Sequence, residues 1–92
     1  MHDLIAQAIK RSGGPSALAR KANVSASAPL MWRSRGSVPA EHCPAVEAAS
    51  GGFFQCEQMW PDKPWRRIPD KTWPNPKGRP VLDFAAVAKE AA

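Results

Sequence analysis

The chain has 92 residues, with thirteen lysine and arginine side chains against eight aspartate and glutamate side chains, a formal charge of +5 and an isoelectric point near 9.8. A chain of this length buries about two-thirds of its unfolded surface, which is enough for one core but not for a core with a deep catalytic cleft. We therefore predict a single small domain that is not an enzyme, and the basic charge is compatible with a nucleic-acid partner.

Targeting and cofactor signals are absent from the sequence. No apolar run approaches the roughly 20 residues that span a bilayer, and the N-terminal residues lack the basic-then-apolar order of a secretory signal. The sequence thus predicts a cytoplasmic protein without membrane contact. Cys43 and Cys56 are thirteen positions apart and are not accompanied by C-x-x-C or H-x-x-x-H spacing. We predict two reduced, partly buried thiols, with no metal and no other cofactor.

Breaks at glycine and asparagine divide the first sixty residues into five predicted short helices. Their approximate bounds are residues 3 to 12, 15 to 22, 26 to 35, 39 to 50 and 55 to 60. Asp3 and Ser25 are predicted N-caps, and Pro15 suits a first helical turn, where its missing N–H would be unpaired anyway. No stretch of the sequence indicates a β-strand.

Residues 15 to 33 have the spacing of a helix-turn-helix unit, in which two short helices are joined by a three-residue turn. Asn23 tolerates positive φ, Val24 is an apolar plug and Ser25 is a cap, so the three places of such a turn are filled in order. The residues predicted to form the core of the unit are Leu18, Ala19, Val24, Pro29 and Trp32.

The same region resembles the Cro-like prophage repressors, and most closely the YdaS-type subgroup of antitoxins, over about residues 4 to 60. The matching stretches are Gly13-Gly14 followed by Ser16-Ala17-Leu18-Ala19, Val24-Ser25 with Trp32 eight positions after Val24, and most specifically the tract from Val38 to Gly52 followed by Cys56-Glu57. The resemblance implies an all-α, lambda-repressor-like DNA-binding domain of about five short helices. It also implies repression of a phage promoter, usually by a dimer on a palindromic operator.

On this interpretation, the second helix crosses the DNA backbone and the third enters the major groove as the recognition helix. Phosphate contacts are assigned to Ser16, Lys21 and Ser25, base-edge contacts to Ala26, Ser27, Leu30 and Met31, and contacts to phosphate or guanine to Arg33 and Arg35. Family members commonly expose Gln, Lys or Arg on this helix, whereas here it begins with small and apolar residues and has arginine only at its end. This difference predicts limited direct readout with a contribution from DNA shape. Pro29 is expected to delay the start of this helix or to begin it as a 3₁₀ turn.

The composition changes after residue 61. Six of the ten prolines lie between residues 61 and 80, together with Trp65, Trp73 and six basic against two acidic side chains. Prolines exclude a continuous helix there and favour extended backbone. Two interpretations stay open: a strap whose tryptophans cover the helical domain, which we favour, and an arm that lies along DNA phosphates. Residues 81 to 92 are predicted to form a short sixth helix that docks on its domain, docks on a partner or frays.

The predicted function is that of a sequence-specific, Cro-type transcriptional repressor from a phage or prophage. It would bind double-stranded operator DNA, as a homodimer at least when bound. The alternative is an antitoxin-like protein-interaction module with weak DNA affinity, in which Leu30, Met31 and the C-terminal segment contact a protein partner. The predicted domains are a DNA-binding domain over residues 1 to 60, a strap or arm over 61 to 80 and a short helix over 81 to 92.

Overall fold

The computed structural model describes residues 2 to 83, which form five α-helices, one short 3₁₀ helix and a two-stranded antiparallel sheet. In chain order the elements are α1 (His2–Arg11), α2 (Pro15–Ala22), α3 (Ala28–Arg35), the 3₁₀ helix (Ala40–His42), α4 (Cys43–Ala49), α5 (Cys56–Met59), β1 (Trp65–Ile68) and β2 (Arg79–Leu82). The helices enclose one apolar core, whose largest members include Ile5, Leu18, Trp32, Val46 and Phe54. Within residues 2 to 83, no helix is long and apolar enough to cross a membrane.

Helix α1 turns one apolar face toward the core. Ile5, Ala8 and Ile9 recur at helical spacing and are buried, and the Ser12 hydroxyl donates to the Ala8 carbonyl at 2.7 Å where the helix ends. The prediction that Asp3 is the N-cap is wrong, because the helix already includes His2 and Asp3. Its apolar spacing, rather than that cap, is the sequence feature that matches the observed helix.

The turn between α2 and α3 begins with the conformation that its sequence predicts. Asn23 adopts the left-handed conformation, with φ 56° and ψ 48°. The N–H groups of Asn23 and Val24 close α2 on the carbonyls of Arg20, at 3.2 Å, and Ala19, at 3.0 Å. Val24 is half-buried and packs against the core. The chain can therefore turn within the five residues 23 to 27 and place α3 against α1 and α2.

Helix α3 begins at residue 28, two residues after the predicted bound, and this is the delay expected from Pro29. Pro29 lies in its first turn, where a missing N–H is tolerated, and Ser27 occupies the N-cap position. The prediction that Ser25 caps the helix is wrong: its carbonyl accepts the Ala28 N–H at 3.1 Å, while its hydroxyl lies 3.4 Å from the Ser27 hydroxyl. Ala26 consequently belongs to the turn rather than to α3.

The segment after residue 61 contains a β-hairpin, so the prediction of an all-α chain without strands is wrong. Strands β1 and β2 pair antiparallel, with Trp65 opposite Leu82 and Ile68 opposite Arg79. A two-stranded sheet tolerates Pro80 because each strand has an edge that needs no N–H donor. Strand β2 includes residues 81 and 82, which had been predicted as helix; the part of that prediction from residue 84 onward lies outside the described residues.

Arg67 fastens the hairpin to the helical part of the chain. Its side chain is 13% exposed and lies against Glu47, whose side chain is fully buried. Nη1 and Nη2 donate to the two carboxylate oxygens of Glu47, Nε and Nη2 donate to the carboxylate of Glu57, and Nη1 also donates to the Gly78 carbonyl at 2.8 Å. All five guanidinium N–H groups therefore have acceptors, which is the condition under which a buried ion pair is tolerated.

The tryptophans of this segment also bond to the helical part of the chain. The Trp73 indole N–H donates to Glu47 at 2.6 Å, and the Trp65 indole N–H donates to the Trp60 carbonyl at 2.9 Å. Trp60 itself ends α5, and its indole N–H donates to the Val38 carbonyl at 2.7 Å. The basic side chains that remain exposed are those of Lys63, Arg66, Lys71, Lys77 and Arg79. Contact between these cations and DNA stays a prediction.

The two cysteines lie in the core as free thiols. They are more deeply buried than predicted, since neither is accessible to solvent. The Cys43 thiol donates to the carbonyls of Val38 and Pro39 at 3.6 and 3.5 Å. The pKa of the Cys56 thiol is raised, mainly by its interaction with Cys43 and to a smaller extent by burial. Cys56 therefore stays protonated and is a packing residue rather than a nucleophile.

The ion pair of Glu57 makes the hairpin attachment sensitive to acid. The hydrogen bond from Arg67 holds the pKa of Glu57 below its ordinary value of 4.5. Because folding favours the ionised carboxylate, this contribution to stability is complete above pH 4.5 and is lost as the pH falls through the folded-state pKa. We expect the urea midpoint to fall with decreasing pH below about 5, and to fall less steeply in Glu57→Gln. Identical pH slopes for the two proteins would contradict this role of Glu57.

Candidate nucleic-acid interface

Helix α3 has one face in the core and one in solvent. Its buried face consists of Pro29 and Trp32, which pack toward α1 and α2. The side chains that it exposes are those of Leu30, Met31, Arg33, Ser34 and Arg35. Of these, Leu30 and Met31 are large apolar residues that are adjacent in the sequence and 47% and 45% exposed. The exposed face is therefore apolar in the first turns of the helix and cationic at its C-terminal end.

The nine residues predicted to contact DNA are all exposed in the structure. Two of them, Ser16 and Lys21, lie on α2, and the remaining seven lie on α3 or in the turn that leads into it. Those seven are Ser25, Ala26, Ser27, Leu30, Met31, Arg33 and Arg35. Each of these side chains is thus at the protein surface, and their contacts with DNA stay predictions.

Lys21 also has a partner within the protein. Its ammonium donates to the Ser12 carbonyl at 3.1 Å, at the C-terminal end of α1. A cation is favourable there because the last carbonyls of a helix carry partial negative charge. The ammonium has three N–H donors, so this bond leaves others for a phosphate.

The charge on the helix-turn-helix unit is of one sign. Arg20, Lys21, Arg33 and Arg35 are exposed, and no acidic residue occurs between residues 4 and 40. This local excess of positive charge does not appear in the net charge of the first sixty residues. Four carboxylates, at residue 3 and after residue 40, offset the cations in that sum. A surface with cations and without carboxylates attracts the phosphate backbone and imposes no repulsion on it.

The arrangement limits which base edges the protein can read. Ala26, Leu30 and Met31 can contact thymine methyl groups, and Ser27 can hydrogen-bond to any base. Helix α3 contains no Asn or Gln for bidentate recognition of adenine. Sequence discrimination would therefore depend on methyl contacts, on arginine contacts with guanine and on the deformability of the DNA.

Comparison with known proteins places this geometry in a family. The family model described as bacterial toxin YdaS matches residues 5 to 68. The candidate transcriptional regulator YdaS of Escherichia coli (strain K12) is 42% identical over 60 residues, which make up 64% of this chain and 61% of that protein. The chain thus matches less than two-thirds of the length of that curated relative.

A solved structure shares the same fold. It is the Cro protein from the prophage element Xfaso 1 in Xylella fastidiosa strain Ann-1, which is 42% identical and matches with a TM-score of 0.59 over 64% of this chain and 91% of that chain. The match agrees with the Cro-like resemblance of the helix-turn-helix region. Because the family model covers well over half of its residues, the chain belongs to the YdaS family.

Proposed function

We propose that the chain is a sequence-specific DNA-binding transcriptional repressor of the Cro type, from a phage or prophage. The observation that carries this proposal is the helix-turn-helix of α2 and α3, whose solvent-facing side chains include four cations and no carboxylate. The similarity to a Cro protein and to a candidate transcriptional regulator supports it. The proposed partner is double-stranded operator DNA, bound by a homodimer in the cytoplasm.

In the proposed complex, α3 lies in the major groove and α2 crosses the backbone. The hydroxyls of Ser16 and Ser25 and the ammonium of Lys21 would bind phosphates and thereby set the register of the protein on the duplex. Arg33 and Arg35 would bind phosphate or guanine from the last turn of α3. Residues 61 to 83 would hold the helical part of the chain in the conformation that presents this surface.

We expect Arg33→Ala and Arg35→Ala each to weaken DNA binding by about 1 to 3 kcal/mol, because each removes a charge-assisted contact. Both side chains are exposed, so the melting temperature should change little. Binding isotherms measured by fluorescence anisotropy on duplex DNA test this, with Lys71→Ala as an exposed-cation control. Isotherms that are unchanged for both arginine variants would contradict the placement of α3 in the groove.

The exposed apolar pair of α3 supports a second candidate function. Leu30 and Met31 could contact a protein, in which case the chain would be an antitoxin-like interaction module with weak affinity for DNA. The C-terminal residues 84 to 92 would be a further place for such a partner. The same isotherms discriminate between the two functions, because phosphate-driven binding weakens steeply with salt and a protein-interaction module shows little such binding.

A further inference from the structure

The corner between α5 and β1 lies against the loop that follows α3. The Trp60 indole N–H donates to the Val38 carbonyl at 2.7 Å, and Val38 is a fully buried residue three positions after Arg35. The indole ring is consequently fixed beside the segment of chain that leaves the recognition helix. This contact joins the C-terminal segment to the candidate DNA-binding surface.

Lys63 is held on the exposed side of that indole. Its Nζ lies 5.6 Å from the centroid of the Trp60 ring, and its backbone N–H donates to the Trp60 carbonyl at 3.2 Å. Within residues 2 to 83, no carboxylate forms an ion pair with Lys63. The ring contact restricts the long side chain without neutralising its charge, which lowers the entropy lost when the ammonium binds an anion.

We propose that Lys63 is a phosphate contact that extends the DNA-binding surface beyond the C-terminal end of α3. This inference rests on the proposed function. In the homeodomain form of this motif, the C-terminal end of the recognition helix contacts the DNA backbone. The proposed complex places Arg33 and Arg35 in the same way, so the loop through Val38 would leave α3 beside a phosphate strand. An exposed ammonium held one indole ring away from that loop is in a position to neutralise a phosphate and release its counterion.

Lys71 provides a matched control for Lys63. It is an exposed lysine of the same segment. Its loop, however, lies against the C-terminal end of α4, away from the Val38 loop. There the Trp73 indole N–H donates to Glu47, and the backbone of Pro74 closely approaches Gly52. A change at Lys71 therefore alters the net charge by the same amount without altering the surface beside α3.

The test compares full-length wild type, Lys63→Gln and Lys71→Gln by fluorescence anisotropy. The probe is a fluorescein-labelled, random-sequence duplex of about two helical turns, titrated at about 50 and 200 mM KCl. One phosphate contact contributes a slope of about −0.9 to log K against log salt. Between the two salt concentrations, the association constant of the wild type should therefore fall about threefold more than that of Lys63→Gln, while Lys71→Gln should follow the wild type.

The outcomes separate this inference from the function on which it rests. Equal salt slopes for wild type and Lys63→Gln, with normal binding by both, would overturn the role of Lys63 and leave the proposed function intact. Salt slopes reduced equally in Lys63→Gln and Lys71→Gln would also overturn the role of Lys63, because they would indicate a general effect of net charge. Failure of the wild type to bind the duplex at either salt concentration would overturn both.

Discussion

Arg67→Ala is expected to lower the free energy of unfolding by about 3 to 5 kcal/mol, because it leaves a buried carboxylate without its cation. Glu47 is fully buried beside Arg67. It would keep only the Trp73 indole N–H and the Cys56 backbone N–H as donors. Neither donor supplies the positive charge that a desolvated carboxylate requires. Urea denaturation, monitored by far-UV circular dichroism, measures the loss directly.

Arg66→Ala is the control for this experiment. Arg66 is the neighbouring residue on the same strand, but its side chain is 70% exposed and its partner, Asp83, is 3.6 Å away. An exposed pair of this kind contributes at most about 1 kcal/mol. The free energy of unfolding of Arg67→Lys should remain well below that of wild type, because one ammonium cannot bind two carboxylates in the forked geometry of a guanidinium. A loss in Arg67→Ala no larger than that in Arg66→Ala would show that other contacts fasten the hairpin.

Trp32→Ala should also destabilise the protein by about 3 to 5 kcal/mol, in this case by leaving a cavity in the core. Trp32 is 4% exposed and belongs to the buried cluster beneath α3. Its ring also stacks on His42, with the centroids 5.6 Å apart. Since Trp32 anchors the buried face of α3, the helix proposed to enter the major groove, DNA affinity should fall together with stability.

Met31→Ala is the matched control, because Met31 precedes Trp32 on α3 and is exposed. Its effect on stability should stay within about 0.5 kcal/mol. Thermal melts of both variants provide the comparison. If the melting temperature of Trp32→Ala equals that of wild type, the register of α3 is wrong by at least one residue.

The helices could be predicted because their signals are local. Asn23 ends α2 in a left-handed conformation, and Gln55 begins α5 with a capping box that includes Gln58. Each of these features acts over three or four residues, so it is visible in the sequence. Helix starts were less predictable: Asp3 does not cap α1, and at the start of α3 the restriction imposed by Pro29 outweighs the capping tendency of Ser25.

The hairpin could not be predicted for a physical reason. Its strands are four residues long and are joined by ten residues that contain no Asn-Gly or Asp-Gly turn. Strand β1 alternates between half-buried and exposed positions, but one of its half-buried residues is Arg67, which looks like a surface cation. Arg67 faces inward only because Glu47, twenty residues earlier in the chain, meets it, and no short-range pattern indicates that pairing.

One part of the candidate site could be predicted from the sequence and another part could not. Exposure of the α3 face could be predicted from helical periodicity, because the positions of Pro29 and Trp32 determine which side is buried. Lys63 could not be placed near that face from sequence. Its position depends on the bond between Trp60 and Val38, which are 22 residues apart. A contact between residues so far apart in the sequence is not encoded by local spacing.

Selection of duplexes from a random-sequence library by the full-length protein is the most direct measurement of sequence-specific binding. We predict enrichment of a two-fold symmetric sequence whose half-site centres are about 34 Å apart, or one helical turn, since a homodimer places two copies of α3 in successive major grooves. Affinity for the enriched duplex should fall steeply between about 50 and 200 mM salt. A library that remains unenriched after repeated rounds at both salt concentrations would contradict sequence-specific recognition by this helix-turn-helix.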